Sequence, residues 1–333
     1  MKRDKQPLID FDNVYNKHKE RIERRIKLLF RRREPVSVYD PIRYILNSGG
    51  KRFRAVLTLL SCEAVGGRAS AALNAATAIE ILHNFTLVHD DVMDHADLRR
   101  GKPTVHNKWD ENIAILSGDE MIAQAYHILL KTDSRQIKKI LFVYTNALIQ
   151  VCEGQGFDKE FETRKNVTME DYFNMISKKT GRVVAASAQI GALIGGGTIR
   201  RITILRKFGE HVGRAFQVMD DLLDIVGNAG EFGKKIGGDV REGKKTYLLL
   251  KAKALTRGNE QRILQSIVPG NSYTQAQIKQ VRAIYQRTGA IDMARAEITR
   301  STKQAQHELA KLPAGRASST LFWLSNQLLE RSA

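Results

Sequence analysis

The densest chemistry in the sequence lies in His89-Asp90-Asp91-Val92-Met93-Asp94, near the end of an apolar run from Ala69 to Val88. That run is rich in Ala, Leu and Ile and short of breakers, which predicts a helix. Asp90 and Asp94 are four apart and share a helix face, with Asp91 at its shoulder. His83 falls on the same face about two turns earlier. Stacked carboxylates repel one another unless a cation lies between them, and hard oxygen ligands with room left for water or phosphate suit Mg²⁺ better than zinc. Far downstream, Asp220-Asp221-Leu222-Leu223-Asp224 repeats the Asp-Asp-x-x-Asp spacing inside another apolar run. One cluster alone reads equally well as an exposed acidic face. Two of identical spacing in apolar helices do not, because burying acids costs several kcal/mol unless they are paired or metal-bound. Opposed carboxylate faces form a multi-metal clamp, for which a diphosphate is the natural ligand.

These clusters sit within a longer series. Gly49-Gly50-Lys51-Arg52-Phe53-Arg54 precedes the first cluster, and Arg99-Arg100-Gly101 follows it. Lys179-Thr180-Gly181 precedes the second cluster, and Gly233-Lys234, Gly237-Gly238-Asp239 and Gly243-Lys244-Lys245-Thr246 follow it. In order and spacing, over roughly residues 35 to 255, the chain resembles the head-to-tail (trans) isoprenyl diphosphate synthases. No single block would be specific alone.

The resemblance implies an all-α fold, a helical bundle of the isoprenoid synthase type around a central cavity. It also implies an electrophilic alkylation. An allylic diphosphate (dimethylallyl, geranyl or farnesyl) ionises, isopentenyl diphosphate attacks the cation, and the departing diphosphate takes the proton. Asp90, Asp94 and Asp220 would hold Mg²⁺, expected as three ions with substrate bound, and Asp91, Asp221 and Asp224 are further candidate ligands. Arg99, Lys179 and Lys234 would stabilise the leaving diphosphate, with Lys244 closing over it. Lys51, Arg54, His83 and Arg100 would hold isopentenyl diphosphate. Thr180, Gln217 and the carbonyl of Lys179 would face the cation. Ala55 stands where the family usually has Pro, and His95 where a small or acidic residue is commoner.

Product length in such a fold depends on the apolar wall running back from Asp90. In the family, aromatic residues four and five places before the first Asp shorten the product; here these are Thr86 and Phe85. On a helical wheel Thr86 lies about 40° from Asp90 and Phe85 about 140°. Thr86 therefore leaves the tunnel open and Phe85 narrows its shoulder, while Leu82 and Ile79 are candidate deeper walls. The run His83-Asn84-Phe85-Thr86-Leu87-Val88-His89 resembles archaeal geranylgeranyl diphosphate synthases, which makes twenty carbons the first expectation. A farnesyl product, or one of twenty-five carbons or more, is the alternative. A terpene cyclase would lack Lys51, Arg54 and His83. A non-catalytic partner subunit or a basic helical binding protein is the reading from another class.

The elements that must position these residues are helical throughout. Residues 9–33 read as a basic amphipathic helix with Ile22, Ile26, Leu29 and Phe30 at helical spacing, ended by Glu34-Pro35. Ser48-Gly49-Gly50 stops a short helix over 39–47, and the next runs from Arg52 to Val65. Residues 112–130 and 136–151 read as antiparallel core helices, and Glu153-Gly154-Gln155 is assigned helix packing only. Thr168 is a plausible N-cap. Lys179-Thr180-Gly181 breaks or kinks its helix and frees carbonyls. Residues 183–197, rich in Ala, Ser and Gly, let neighbours approach closely. The segment 227–243 reads as a glycine-rich lid, and 247–329 as amphipathic helices. No strand pattern appears.

A length of 333 residues, 42% of them hydrophobic, and no linker of low complexity give one domain, 1–333, with residues 1–34 a basic helix packed on it. The charge of +18 favours anionic partners. No nucleic-acid motif is readable and the basic residues are not interleaved with aromatics, so phosphorylated substrates are expected rather than nucleic acid. Cys62 and Cys152, in apolar helical contexts, read as buried free thiols in a reducing compartment. No segment is long and apolar enough to insert stably in a membrane. A cytoplasmic, soluble protein is expected, and the resemblance implies a homodimer.

Overall fold

The structure, a computed structural model, describes residues 10–227 and 237–332. Lys234 lies outside the described residues. The first half of the chain forms α1 (Phe11–Leu29), α2 (Val36–Leu46), α3 (Phe53–Ala64), α4 (Leu73–Met93), α5 (Val105–Lys108), α6 (Glu111–Leu129) and α7 (Ile137–Thr163). After α8 (Met169–Ile176) comes a π turn, Ser177–Gly181, then α9 (Arg182–Ile194) and α10 (Ile199–Val226). The chain resumes with α11 (Gly238–Arg241), α12 (Tyr247–Leu255), α13 (Gly258–Gln265), α14 (Gln275–Arg287), α15 (Ala290–Leu309) and α16 (Arg316–Ser332).

Side-chain caps start several of the helices, though not α3, α4, α7 or α9. Asp110 accepts the Ile113 N–H at the head of α6, and Thr198 accepts that of Arg201 at the head of α10. Thr168 begins α8 as expected, in a capping box with Asp171. The basic N-terminal helix is shorter than its sequence pattern, ending at Leu29 so that Arg31–Arg33 lie beyond it. Its Ile22 and Ile26 side chains are buried. The helix read as 136–151 continues to Thr163 through Gly154 and Gly156, and it carries Cys152 on an exposed face, so of the two cysteines expected to be buried only Cys62 is.

The core is a bundle in which α4 packs along α6 and α3, α3 along α9, and α10 between α9 and α15. The small-residue run does bring backbones together. A Cβ at Gly191 in α9 would overlap the Thr58 carbonyl oxygen of α3, so only glycine fits this crossing.

One departure from an all-helical chain is a pair of two-residue strands, Leu98–Arg99 and Lys102–Pro103, in register Leu98↔Pro103 and Arg99↔Lys102. Their turn residues, Arg100 and Gly101, have φ of 53° and 72°. Positive φ at both central positions matches the twist of a two-residue hairpin. The pairing is too short to leave an alternating hydrophobic signature.

Candidate active site

α4 gives one wall of a cavity of about 450 Å³ whose lining includes Leu82, His83, Thr86, Asp90 and Asp94. Burial pushes the Asp90 carboxyl above its ordinary range, and Asp94 adds to this, while Lys179, Arg99 and Lys244 oppose it. Burial also acts on Asp94, yet Lys244 at 3.2 Å and Lys159 at 2.9 Å overcome it and hold that carboxyl down at about 2. Asp91 turns the other way. It is buried and receives Arg99 at 2.6 and 2.7 Å.

The hairpin after α4 separates its two adjacent arginines. Arg99 is drawn to Asp91, whereas Arg100, on the turn, reaches back to the Gly49 carbonyl and to Ser48 Oγ at 3.3 Å. Both still line the cavity. The Gly49-Gly50 turn thus acts as a seat for Arg100, since a Cβ at Gly50 would come 2.9 Å from its guanidinium.

Arg54, in the first turn of α3, donates to His83 Nε2 at 3.2 Å and lies over the Phe216 ring. Burial, then Arg54 and Arg100, push the His83 imidazole well below its ordinary pKa, so it is neutral and accepts from Arg54. Lys51 is exposed and is not part of the cavity lining; its carbonyl accepts from Tyr15. Of the Lys51–Arg54 pair, the cavity therefore receives only Arg54.

α10 and the π turn form the opposite wall. Asp220, Asp221 and Asp224 all line the cavity but differ in state. Asp220 is exposed. Asp221 is buried, accepting from Tyr172 Oη at 2.8 Å, from the Tyr247 N–H at 2.9 Å and from Gln217 Nε2 at 3.1 Å. Burial, then Asp239, raise its carboxyl to about 7. Asp224 accepts the N–H groups of Gly238 and Asp239 at the start of α11. In both motifs the second aspartate is built into the scaffold and the first faces the cavity.

The expected kink is the π turn at Ser177–Gly181. Such a turn inserts an extra residue into the helix and unseats its hydrogen bonds. α7 packs tightly against it, and a Cβ on Gly154 would overlap the backbone nitrogen of Lys179. Lys179 donates to Asp158 at 2.6 Å, and Asp158, then Asp90, outweigh burial and raise its pKa. Thr180 donates to Gln217 Oε1 at 2.7 Å. Lys244, whose pKa Asp239 and Asp94 raise well above normal against the effect of burial, spans from Asp94 to Glu242.

Three residues of α7 escaped the sequence reading. Asp158 aims Lys179, Lys159 holds Asp94, and Gln155 lines the cavity, so the helix-packing assignment for the Glu153-Gly154-Gln155 segment is too narrow. The missed signal is Val151, Gln155 and Asp158 at i, i+4 and i+7, one helix face. Along the apolar part of the wall, Thr86, Leu82, Val151, Met175 and Val183 line the cavity. Phe85 is buried with its ring 4.8 Å from that of His89, and Ile79 is buried beneath; neither is on the lining.

Among the described residues, no three His, Cys, Asp or Glu side chains converge closely enough to hold a metal by themselves. Carboxylates divided between two walls fit ions that draw their remaining ligands from water and a diphosphate, which is how Mg²⁺ is usually held. Asp90, whose ionised form burial disfavours, would gain from such an ion. The donor set is all oxygen, so the fit is to a hard cation.

Residues 35–285 match the sequence profile of a family described as polyprenyl synthetase. The chain is 35% identical over 325 residues to a short chain isoprenyl diphosphate synthase of Methanothermobacter thermautotrophicus, covering 97% of this chain and 99% of that one. A solved geranylgeranyl pyrophosphate synthetase from Pyrococcus horikoshii superimposes with a TM-score of 0.90 at 35% identity, covering 96% and 98% of the two chains. A polyprenyl synthase from Caulobacter crescentus, solved with calcium and isoprenyl diphosphate, does so at 0.90 and 28% identity, covering 97% and 98%.

Proposed function

Because this chain belongs to the polyprenyl synthetase family, we propose that it is a magnesium-dependent head-to-tail prenyltransferase. Its substrates are isopentenyl diphosphate and an allylic diphosphate (dimethylallyl, geranyl or farnesyl), and its main product is geranylgeranyl diphosphate. The observation that carries this reading is a single cavity with carboxylates on two walls and cations between them. Asp90 and Asp94, at the C-terminal end of α4, and Asp220 of α10 line it, a neutral His83 sits there beside Arg54 and Arg100, and Leu82, Thr86 and Val151 add an apolar wall.

Asp90, Asp94 and Asp220 would hold Mg²⁺, with three ions expected, and the metal would supply the positive charge that a leaving diphosphate needs. Arg99, Lys179 and Lys244, with Lys234, add positive charge on the same group. Lys179 is pre-aimed by Asp158, so little reorganisation accompanies the reaction. Arg54, His83 and Arg100 hold isopentenyl diphosphate, and Lys51 assists from outside the lining. The π-turn carbonyl of Lys179, with Thr180 and Gln217, faces the allylic cation. The attacking alkene's proton leaves to the released diphosphate, so no protein base is required.

Thr86 rather than a ring one turn before Asp90 leaves the wall open for a growing chain, which favours twenty carbons over fifteen. A product of twenty-five carbons or more is the second reading, favoured by Phe85 lying off the lining. We assign the active form as a homodimer acting in the cytoplasm. No helix of the described residues is long and apolar enough to cross a membrane.

The test is incubation with labelled isopentenyl diphosphate, each primer and Mg²⁺, followed by product sizing. Geranylgeranyl diphosphate is expected, with rates lower by about 100-fold or more in Asp90→Ala and Asp220→Ala. Undiminished prenyl transfer in both variants would refute the assignment. A different chain length would reassign the product alone.

A further inference from the structure

Gln155 presents an unusual state for a buried amide. It is 9% exposed, it lines the cavity, and neither Oε1 nor Nε2 has a hydrogen-bond partner. Leaving such a group unpaired is costly, because it gives up its hydrogen bonds to water and gains none in return. The other polar side chains at this depth are committed. Thr86 donates to the His83 carbonyl at 2.8 Å. Gln217 accepts from Thr180 and donates to Asp221, so both ends of that amide are occupied. Among the described cavity-lining residues, Gln155 is the amide with both atoms free.

Its position along the cavity is also defined. On α7, Asp158 lies one turn toward the ionic end, beside Lys179, and Val151 lies one turn toward the apolar end. On α4, Thr86 stands in the same relation to Asp90. A helical turn is about 5 Å long. A diphosphate held between Asp90 and Lys179 would therefore place the first isoprene unit beside Gln155. Gly154, pressed on the Lys179 backbone, fixes the height of α7 against the π turn.

Resting on the prenyltransferase reading and extending it, we infer that Gln155 is a further catalytic residue whose amide oxygen faces the allylic carbons and stabilises the positive charge that develops there. In that step the C1–O bond breaks and its electron pair leaves with the diphosphate. Charge then spreads over C1 and C3, the isopentenyl double bond forms the new C–C bond at C1, and the proton lost goes to the diphosphate. An acceptor dipole already in place and shielded from water stabilises the cation without reorienting.

The test compares Gln155→Leu and Gln155→Met with Gln155→Glu, which keeps an acceptor oxygen, in the full-length protein with Mg²⁺. Expected in the apolar variants is a fall in kcat of about tenfold or more, with KM for isopentenyl diphosphate unchanged and rescue in the Glu variant. Wild type should also bind an allylic diphosphate analogue carrying an ammonium nitrogen in the first isoprene unit more tightly than its neutral carbon counterpart, and Gln155→Leu should lose that preference. The ligand-free Leu variant should melt no lower than wild type, because it removes an unpaired amide; a packing role predicts the opposite. Full kcat with preserved analogue preference in both apolar variants would overturn the inference. So would a lowered melting temperature with kcat restored by none of the three. Absence of prenyl transfer in the wild type would remove the parent reading and this one together, whereas an active wild type matched by Gln155→Leu removes this one alone.

Discussion

At the scale of single residues, identical letters do different work. Asp90 and Asp91 are neighbours, yet Asp90 lines the cavity and Asp91 is a buried anchor for Arg99. Spacing along a helix gives the face and so exposes the first and last aspartates of each motif. It does not reveal that Tyr172 and the Tyr247 backbone, distant in sequence, fill the oxygens of Asp221. The state of Asp94 has a measurable consequence. Burial raises its pKa, but Lys244 and Lys159 outweigh that and hold it at about 2 against an ordinary 3.8. A carboxyl depressed by folding stabilises the protein above its unfolded pKa, and that contribution is lost as pH falls through the folded value. For this 13%-exposed side chain it amounts to about 2 kcal/mol. In metal-free urea titrations, the stability difference between wild type and Asp94→Asn should be constant above about pH 5 and should lose roughly that amount between pH 4 and 2. A difference that stays flat to pH 2 counts against the ion pairs.

At the scale of elements, helix identity was legible and helix junctions were less so. Thr168 announced α8, and Lys179-Thr180-Gly181 announced a break. That the break is a π turn pressed on α7 was not legible, because the contact joins segments about 25 residues apart through a residue with no side chain. Gly154→Ala tests this junction. The added methyl has nowhere to go but the Lys179 backbone, and overpacking of this kind costs about 1–3 kcal/mol. The variant should melt several degrees lower and lose prenyl transfer out of proportion to its fraction unfolded. A wild-type melting temperature and activity would mean that the two helices slide apart freely. The two-residue hairpin shows the converse limit. Its strands are too short for periodicity to show.

At the scale of the whole molecule, the charge of +18 was readable as an affinity for anions but not as a location. The structure concentrates Arg54, Arg99, Arg100, Lys179 and Lys244 on one cavity, leaving many others on the surface. The apolar residues left outside carry a second message. Ile115 and Leu116 of α6 are 44% and 50% exposed, and Phe142 and Ile149 of α7 are 68% and 46% exposed. Tyr126 Oη of the first helix donates to Thr145 Oγ1 of the second at 3.0 Å. Large apolar side chains left exposed on two helices are what an interface would cover, in keeping with the proposed homodimer. Phe142→Glu should shift the protein toward monomer in sedimentation velocity, and a dimer unaffected by the change would place the interface elsewhere.

The double grip on Asp94 alters what loading the site means. Its two oxygens already answer to two ammonium groups, so the resting cavity carries its own internal salt. On the proposed reading, a divalent ion claiming that carboxylate would arrive by exchange rather than by addition, displacing an amine. Lys159 has somewhere to go: Glu162 holds it at 2.9 Å, the same length as its bond to Asp94. On the proposed reading, the site at rest thus holds ammonium groups on a carboxylate that the metal would claim.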